Sequence, residues 1–386
     1  TQYLSSKLNK KVFKLLNSIK FFREEDWNKC NTDGNIFLSY NFLLLLEESN
    51  SVSNETGWIP NYFAIFENDV LVTCAACYVK MHSQGEYVFD HSWANAYASC
   101  GLNYYPKLLI ASPFTPVSGL RILIRPESDS KNKDVLINQI IKHCKINSYS
   151  GLHINFFDKR ELSFYQKHNL LIRLGEQFHF LNANYTCFRD FLDTLSYKNR
   201  KRILKERASI KKNNIEIKIY EKNDVTRDLC EKMYEFYLLT IKKKWSYNYL
   251  TKDFFLELSN YLKSNVLLIM AIENNEIIAG ALNFISDGNL YGRYWGATKE
   301  VPNLHFEVCF YQAIEYAIRK KLGKVEAGAQ GLHKVKRGYL PVKTYSAHLL
   351  FNEKLSKAIK NFLVEERKVV EEDINLIENK LSPFKN

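Results

Sequence analysis

Two stretches of the chain share one pattern of apolar and polar positions. NYFAIFENDVLVTCAACYVK (61–80) places two β-rich apolar runs around a polar turn at Glu67 to Asp69, and VLLIMAIENNEIIAGALNFI (266–285) does the same around Glu273 to Glu276. Polar turn residues between two such runs predict a β-hairpin. Each hairpin is followed by a glycine and an aromatic run, GEYVFDHSW from Gly85 and GNLYGRYWG from Gly288, which predict a third strand. The repeated pattern, offset by about two hundred residues, indicates an internal duplication.

The segments after each hairpin complete the predicted order of elements. HFEVCFYQAIEYAIRKKL (305–322) has apolar residues at helical spacing and a basic last turn before Gly323, so it predicts a helix, and KVEAGAQ predicts a short strand. The length of 386 residues exceeds what one hydrophobic core usually supports. We therefore expect an α/β (α+β) protein of two tandem domains, residues 1–184 and 185–386, with mixed central sheets flanked by helices. The order of elements resembles that of acyl-CoA N-acyltransferase (GNAT-like) domains.

The amino-acid composition limits which classes of protein and which kinds of binding partner are possible. Hydrophobic residues make up 46% of the chain, which excludes a disordered protein. Lys and Arg outnumber Asp and Glu by 54 to 42, so the net charge of +12 favours anionic partners. No apolar run has the length of a transmembrane helix.

The eight cysteines lie mostly in apolar runs, which predicts reduced, buried thiols and a reducing compartment. Cys74 and Cys77 have redox-motif spacing, but their β-rich run favours buried strand residues without a metal. We expect a cytoplasmic protein. The basic, amphipathic segment from Tyr3 to Phe22, in a chain beginning with Thr1, leaves the plastid stroma open as an alternative if a presequence was removed.

The stretch GAQGLHKVKRGYLP (328–341) combines glycines with His333, Lys334 and Arg337. Glycine allows close approach of the backbone to a ligand, and Lys and Arg bind phosphate or carboxylate. A solvated loop that owes its charge to composition is the alternative interpretation. We predict a binding site for the anionic part of a substrate.

Seven stretches together resemble one known family: FLSYNFLLLLEESNSV from Phe37, TGWIP from Thr56, HSQGEYVFD from His82, YYPKLL from Tyr104, SPFTPVSG from Ser112, EVPNLHFEVCFYQAIEY from Glu300, and GAQGLHKVKRGYLPVKTYSAH from Gly328. The family comprises the peptidoglycan biosynthesis or recognition proteins, predicted N-acyltransferases related to the Fem aminoacyl-ligases. The resemblance covers nearly the whole chain.

The resemblance implies two acetyltransferase-like domains that move an aminoacyl group from aminoacyl-tRNA to an amine of a cell-wall precursor. The helical arm of the Fem ligases has no counterpart here, because the basic run 200–212 is followed closely by the strand-like IEIKIY. The glycine-rich loop of acetyl-CoA enzymes is also absent from GATKEVPNLH (296–305). Both acyl-CoA and aminoacyl-tRNA therefore stay open as donor, and we expect no tightly bound cofactor.

Three groups of residues are candidates for the site. The catalytic candidates are Glu307 or His305 as the base and Tyr339 as an acid or oxyanion donor, each with a structural alternative in helix capping or packing. The substrate-binding candidates are Gln330, Gly331, His333, Lys334 and Arg337, with Asp90, Trp93 and Lys107 in the first half for an amine-bearing acceptor.

The basic segment SYKNRKRILKERASIKK (196–212) predicts a helix with a solvated face or with phosphate contacts, for which the candidates are Lys198, Arg200, Lys201 and Arg202. The expected function is N-acyl transfer by direct attack of an amine, without a covalent enzyme intermediate. A non-catalytic binding protein for a phosphorylated cell-wall or lipid-linked ligand, or a tRNA-binding or other nucleic-acid-binding factor, is the alternative.

Overall fold

The structure, a computed structural model, describes residues 11–244, 246–328 and 331–385. Two compact units divide the chain by packing. The first extends to Arg173 and includes Tyr345–Asn361, and the second extends from Leu174 to Thr344 and resumes at Phe362. The expected domain limits, 1–184 and 185–386, stay a prediction.

The first unit begins with eight strands and five helices in chain order. The strands are β1 (Lys11–Leu16), β2 (Trp58–Pro60), β3 (Tyr62–Glu67), β4 (Val70–Ala75), β5 (Cys77–Lys80), β6 (Lys107–Ile110), β7 (Leu123–Ile124) and β8 (Gly151–Ile154). The helices are α1 (Glu24–Cys30), α2 (Tyr40–Glu48), α3 (His91–Ser99), α4 (Lys131–Ile146) and α5 (Leu162–Lys167).

The rest of the chain supplies seven strands and eight helices. The strands are β9 (Leu171–Leu181), β10 (Glu216–Glu221), β11 (Val266–Glu273), β12 (Glu276–Ser286), β13 (Asn289–Ala297), β14 (Lys324–Ala327) and β15 (Leu340–Leu350). The helices are α6 (Phe188–Thr194), α7 (Tyr197–Lys212), α8 (Arg227–Lys244), α9 (Lys252–Leu256), α10 (Leu258–Tyr261), α11 (Leu304–Phe306), α12 (Gln312–Arg319) and α13 (Glu353–Lys380). A π-helical turn, Glu307–Tyr311, joins α11 to α12, and Leu332–Arg337 forms a 3₁₀ helix.

Both units use one strand order. In the second unit β10, β11, β12 and β13 are antiparallel neighbours, β13 pairs with β14 in parallel, and β14 pairs antiparallel with β9. In the first unit β1, β3 and β4 are antiparallel, β5 pairs with β6, β6 pairs with β8 in parallel, and β8 pairs antiparallel with β15. The predicted α/β class with mixed sheets is confirmed. Each unit takes its last strand out of chain order. β9, which directly follows the elements of the first unit, completes the second unit, and β15, which follows the strands of the second unit, completes the first.

The two predicted hairpins are confirmed and match in detail. The turn residues Asn68 and Asp69 have φ of 50° and 65°, and Asn274 and Asn275 have φ of 51° and 65°. Positive φ at both central residues is the geometry of the type I′ turn that suits a tight hairpin. Each hairpin also has a register shift at the same place, between Ile65 and Phe66 and between Ala271 and Ile272. The duplication therefore includes the irregular positions.

One predicted strand is wrong. GNLYGRYWG forms β13 as expected, whereas GEYVFDHSW is a loop that leads into α3. Tyr87 has a φ of 59°, which interrupts an extended run. The segment is held by ion pairs instead of a backbone ladder, since Lys107 Nζ lies 2.9 Å from Glu86 Oε2 and 2.5 Å from Asp90 Oδ2. The third strand of the first unit is β6.

Most of the cysteines are buried, and each unit has an apolar core of its own. All eight cysteines have free thiols, and five of them are buried: Cys30, Cys74, Cys77, Cys144 and Cys230. A separate apolar core fills each unit, with α4 against the strands of the first and α12 against those of the second. None of the helices in the described chain is both long enough and apolar enough to cross a bilayer.

The turn geometry of the second hairpin can be tested by substitution at Asn275. Replacing Asn275 with alanine is expected to lower the free energy of unfolding by about 1 kcal/mol, because alanine tolerates the left-handed conformation less well. Asn275→Gly is the matched control and should cost nothing, since glycine adopts positive φ readily. Urea unfolding of both variants measures the difference, and equal stability of the two would contradict the turn geometry.

Candidate functional site

The glycine-flanked loop folds into a short 3₁₀ helix that directs two of its cations inward. Gly331 and Gly338 flank it with φ of 125° and 94°, a region that glycine adopts without strain. Three residues per turn place Lys334 and Arg337 on one side of this helix. Their exposed fractions are 2% and 5%. The alternative of a fully solvated loop does not hold for these two residues, whereas His333 and Lys336 are exposed.

Arg337 is engaged by the protein itself. Its Nη2 and Nε donate to Glu206 Oε1 and Oε2 at 2.7 and 3.1 Å, and Nε also donates to Tyr311 Oη at 3.0 Å. Nη1 donates to the carbonyl oxygen of His333 at 2.8 Å. The guanidinium carbon lies 3.5 Å from the ring centroid of Phe306. Arg337 therefore fixes the loop against α7 and the π-helical turn, and a ligand phosphate would compete with Glu206 for it.

Glu307 is similarly held by a cation of α7. Arg207 Nη2 lies 3.0 Å from Glu307 Oε1, and Gln312 Nε2 donates to the same oxygen at 2.7 Å. Arg207 also binds Glu315 at 2.7 Å. These contacts hold the carboxylate of Glu307 beside the π-helical turn. Its role as a catalytic base stays a prediction.

Lys334 differs from Arg337 in its partners. Its Nζ donates to the carbonyl oxygen of Gly328 at 3.0 Å. No carboxylate lies within ion-pair distance of it among residues 11–244, 246–328 and 331–385. Burial lowers the pKa of Lys334 to about 8, with Lys244 acting in the same direction and Cys309 against it. A buried ammonium without a counter-charge is costly unless a ligand supplies one.

His305 lies among aromatic rings close to this lysine. Its ring centroid is 5.2 Å from Trp295 and from Phe310, and 6.4 Å from His333. Burial, together with the neighbouring His333, Lys244, Lys334 and Arg337, lowers the pKa of His305 to about 4. His305 is therefore an uncharged imidazole at neutral pH. The structure brings His305, His333, Lys334 and Arg337 together, as the sequence predicted.

The remaining loop candidates have separate surroundings. Tyr339 is fully buried, packs against Phe180 and Phe310, and its hydroxyl has no partner in the described part of the protein. Its catalytic role stays a prediction. Gln330 lies outside the described residues, and Gly331 is the N-cap residue immediately before the 3₁₀ helix.

The predicted basic helix is α7, and its cations divide into two groups. Arg200 pairs with Asp193 at 3.2 Å, and Arg202 donates to Asn199 at 3.0 Å. Lys198 and Lys201 are exposed and have no ion pair within the described chain. Only the lysines thus remain available to an anionic partner.

The first-unit candidates form a buried ionic group. Lys107, Asp90 and Trp93 are all nearly inaccessible. The ammonium of Lys107 lies between Asp90 and Glu86, and the ring of Trp93 lies under the guanidinium of Arg173 at 5.0 Å. Burial alone would raise the pKa of Asp90, but the charges and hydrogen bonds of its neighbours, Lys107 foremost, together hold it well below its usual range.

Sequence reasoning missed three residues of the second-unit site: Glu206, Arg207 and Lys244. Glu206 and Arg207 lie between the buried Ile203 and Ile210 on α7, so helical spacing alone indicated that they face inward. Lys244 ends α8, and no local pattern connects it with the loop.

Several solved structures are similar to this chain in fold. L-PGS from Bacillus licheniformis is 12% identical at a TM-score of 0.51, with 82% of this chain and 93% of that chain covered. The C-terminal domain of a putative lysylphosphatidylglycerol synthetase from Agrobacterium fabrum is 9% identical at 0.54, with 88% and 96% covered. FemX is 11% identical at 0.53, with 91% and 100% covered. These similarities show a shared fold. No match was found among curated proteins.

A family model describes nearly the whole chain. The FemAB-like model, described as peptidoglycan biosynthesis/recognition, matches residues 18–386. The chain shares its fold with L-PGS and FemX, and the family match identifies it as an enzyme of the acyl- or aminoacyl-transferring kind. The chain belongs to the FemAB-like family of peptidoglycan biosynthesis and recognition proteins.

Proposed function

We propose that the protein transfers an aminoacyl group from an RNA carrier to the amine of a cell-wall precursor, at the second-unit site of His305, His333 and Lys334. The supporting observation is Lys334, a buried ammonium with a carbonyl partner and no carboxylate partner in the described chain. A buried ammonium that no carboxylate neutralises can stabilise negative charge that develops on the substrate.

The reaction proceeds by direct attack. The amine nitrogen forms a bond to the carbonyl carbon of the donor, and the carbonyl oxygen becomes an oxyanion that accepts a hydrogen bond from Lys334. Collapse breaks the bond to the carrier, which leaves as an alcohol. The uncharged imidazole of His305 accepts the proton lost by the amine, directly or through water, and then returns it to the leaving oxygen of the carrier. Arg337 and Glu307 position the loop and the π-helical turn through their ion pairs with α7.

The exposed lysines of α7 are evidence that the carrier of the aminoacyl group is a polyanion. Five of them are exposed and have no ion pair within the described chain: Lys198, Lys201, Lys205, Lys211 and Lys212. A row of lysines along a helix of 16 residues suits a phosphate backbone better than it suits a single small anion. RNA is thus favoured over acyl-CoA as the donor.

A transfer assay tests the proposal. The purified protein is incubated with a muramyl-pentapeptide precursor and either aminoacyl-tRNA or acyl-CoA, each labelled in the transferred group. We expect label in the precursor from aminoacyl-tRNA only. Transfer from acyl-CoA alone would overturn the choice of carrier, and no transfer from either donor would overturn the proposed reaction.

The role of α7 has its own prediction. Changing Lys198, Lys201 and Lys205 together to glutamine is expected to weaken RNA binding about 10-fold or more at low salt and to reduce the salt slope by about 0.7 to 0.9 per lost phosphate contact. The control changes three exposed helical lysines of α13, Lys354, Lys357 and Lys360, which should leave binding unchanged. Equal losses in both variants would indicate an effect of net charge only.

A further inference from the structure

The segment that follows α8 presents a pair of aromatic rings at the surface of the second unit. The ring centroids of Tyr247 and Tyr249 are 6.5 Å apart at an interplanar angle of 30°, so the rings are stacked. Tyr247 is 58% exposed. Because one face of its ring is turned towards Tyr249, this exposure leaves the other face to solvent. An exposed aromatic face of this kind is a surface on which a flat ligand ring can stack.

Backbone hydrogen bonds hold the aromatic pair in place. The N–H groups of Tyr249 and Leu250 donate to Tyr237 Oη at 3.1 and 3.2 Å. Both Tyr237 and Leu250 are only 2% exposed. The segment is thus anchored to the core just beyond the pair, and Tyr249 supports the ring of Tyr247 from a fixed position.

The last turn of α8, next to this pair, is basic. It contains Lys242, Lys243 and Lys244, and all three are exposed. Lys243 pairs with Glu300, whereas the other two lysines have no ion pair within the described chain. Sites for single-stranded nucleic acids combine aromatic faces, on which bases stack, with cations that contact the phosphates. The end of α8 has both features.

Contacts along α8 bring this end of the helix close to the proposed site of transfer. Thr240 Oγ1 donates to the carbonyl oxygen of Trp295 at 2.5 Å, and the ring of Trp295 lies 5.2 Å from that of His305. Lys244 is four residues beyond Thr240 and therefore shares its face of the helix. The charge of Lys244 lowers the pKa of both His305 and Lys334. Lys244 is thus a neighbour of the reacting groups.

A glycine of β13 fixes the position of α8. A Cβ atom added to Gly296 would lie 1.9 Å from the carbonyl oxygen of Phe236, which is closer than two such atoms can approach. The backbones of helix and strand therefore touch at this point, about two helical turns before Lys244. The end of α8 is thereby fixed relative to β13, the strand that contains Trp295.

The aromatic and basic features together match the unpaired end of an RNA. A base has a flat face that stacks on tyrosine, and the phosphates beside it supply the negative charge that lysines bind. We propose that this surface, the tyrosine–lysine site, binds the terminal unpaired nucleotides of the RNA that carries the aminoacyl group. Its members are Lys242, Lys244, Tyr247 and Tyr249. The inference rests on the RNA carrier of the proposed function, and it assigns the residues that hold the reactive end of that carrier near His305.

Binding of two RNA hairpins to the whole chain tests this inference. The hairpins share one duplex, but the first is blunt and the second ends in about four unpaired 3′ nucleotides. We expect the second hairpin to bind about 10-fold more tightly than the blunt one. Tyr247→Ala should abolish this preference, whereas Tyr247→Phe should keep it, because stacking needs the ring and not the hydroxyl. Lys242→Gln and Lys244→Gln should each reduce the salt slope of the second hairpin by about 0.7.

A matched control and the transfer assay separate the possible outcomes. Phe362→Ala removes another exposed aromatic ring of the second unit, on α13, and should leave both affinities unchanged. The inference is overturned if the protein binds neither hairpin, if it binds both equally, or if Tyr247→Ala keeps the preference. Aminoacyl transfer from tRNA in any of these cases would leave the proposed function standing. A preference that depends on Tyr247, in a protein that transfers no label, would support the site and overturn only the reaction.

Discussion

Replacing Lys334 with methionine is expected to lower kcat/KM for aminoacyl transfer by about 100-fold or more, because the oxyanion loses its buried charged donor. Methionine keeps most of the volume of the side chain, so the loop should stay folded. Lys336→Met is the matched control, since Lys336 lies on the same 3₁₀ helix but is exposed. Full activity of Lys334→Met, or an equal loss in Lys336→Met, would remove Lys334 from the mechanism.

The pKa of Lys334 predicts how kcat/KM changes on the alkaline side of the pH profile. The active form of Lys334 is protonated, and its pKa is lowered to about 8. The value of kcat/KM should therefore fall as the pH rises through about 8, whereas a lysine with its ordinary pKa would lose its proton near 10. Lys334→Arg keeps a charge that does not titrate in this range. The fall near pH 8 should disappear in that variant, and its persistence would assign the titration to another group.

Replacing Glu206 with alanine is expected to lower the free energy of unfolding by about 3 kcal/mol or more, because it leaves the buried guanidinium of Arg337 unpaired. Tyr311 loses its acceptor at the same time. Urea unfolding measures the change. Arg200→Ala is the control on the same helix: its ion pair with Asp193 is largely exposed and should contribute less than about 1 kcal/mol.

A double-mutant cycle separates the ion pair from general damage to α7. Glu206→Ala combined with Arg337→Met removes both charges, so the double variant should cost less than the sum of the single variants. Additive losses would mean that the two side chains do not interact in solution. In that case Arg337 would be free for a ligand phosphate, as the sequence alone suggested.

The sequence predicts helices and strands well where neighbouring residues carry the pattern that defines them. The hairpin turns at Asn68 and Asn274 lie between apolar runs, and the helix after Asn303 has a clear period, so both follow from neighbouring residues. The strand predicted for GEYVFDHSW is wrong because the aromatic and β-branched residues of this segment give it the composition of a strand. Its actual anchor, the pairing of Glu86 and Asp90 with Lys107, joins positions some twenty residues apart.

The sequence proposed the glycine-flanked loop as a binding site but could not show how its side chains are paired. The glycines and cations of the loop identified Lys334 and Arg337, which the structure does bury together. Sequence could not show that Arg337 pairs with Glu206, 131 residues earlier, because a single acid within a basic run has no local pattern of its own.

The exchange of last strands affects how this protein folds as it is synthesised. The first unit needs β15 against β8, and β15 is synthesised after β8 and after most of the second unit. The nascent N-terminal half therefore emerges with β8 unpaired on one side, an exposed edge that can pair with other chains. Cutting the gene near residue 184 would give two fragments that each lack a strand of their own unit. Co-expression of the two fragments, which can restore both pairings, should then recover more folded protein than either fragment alone.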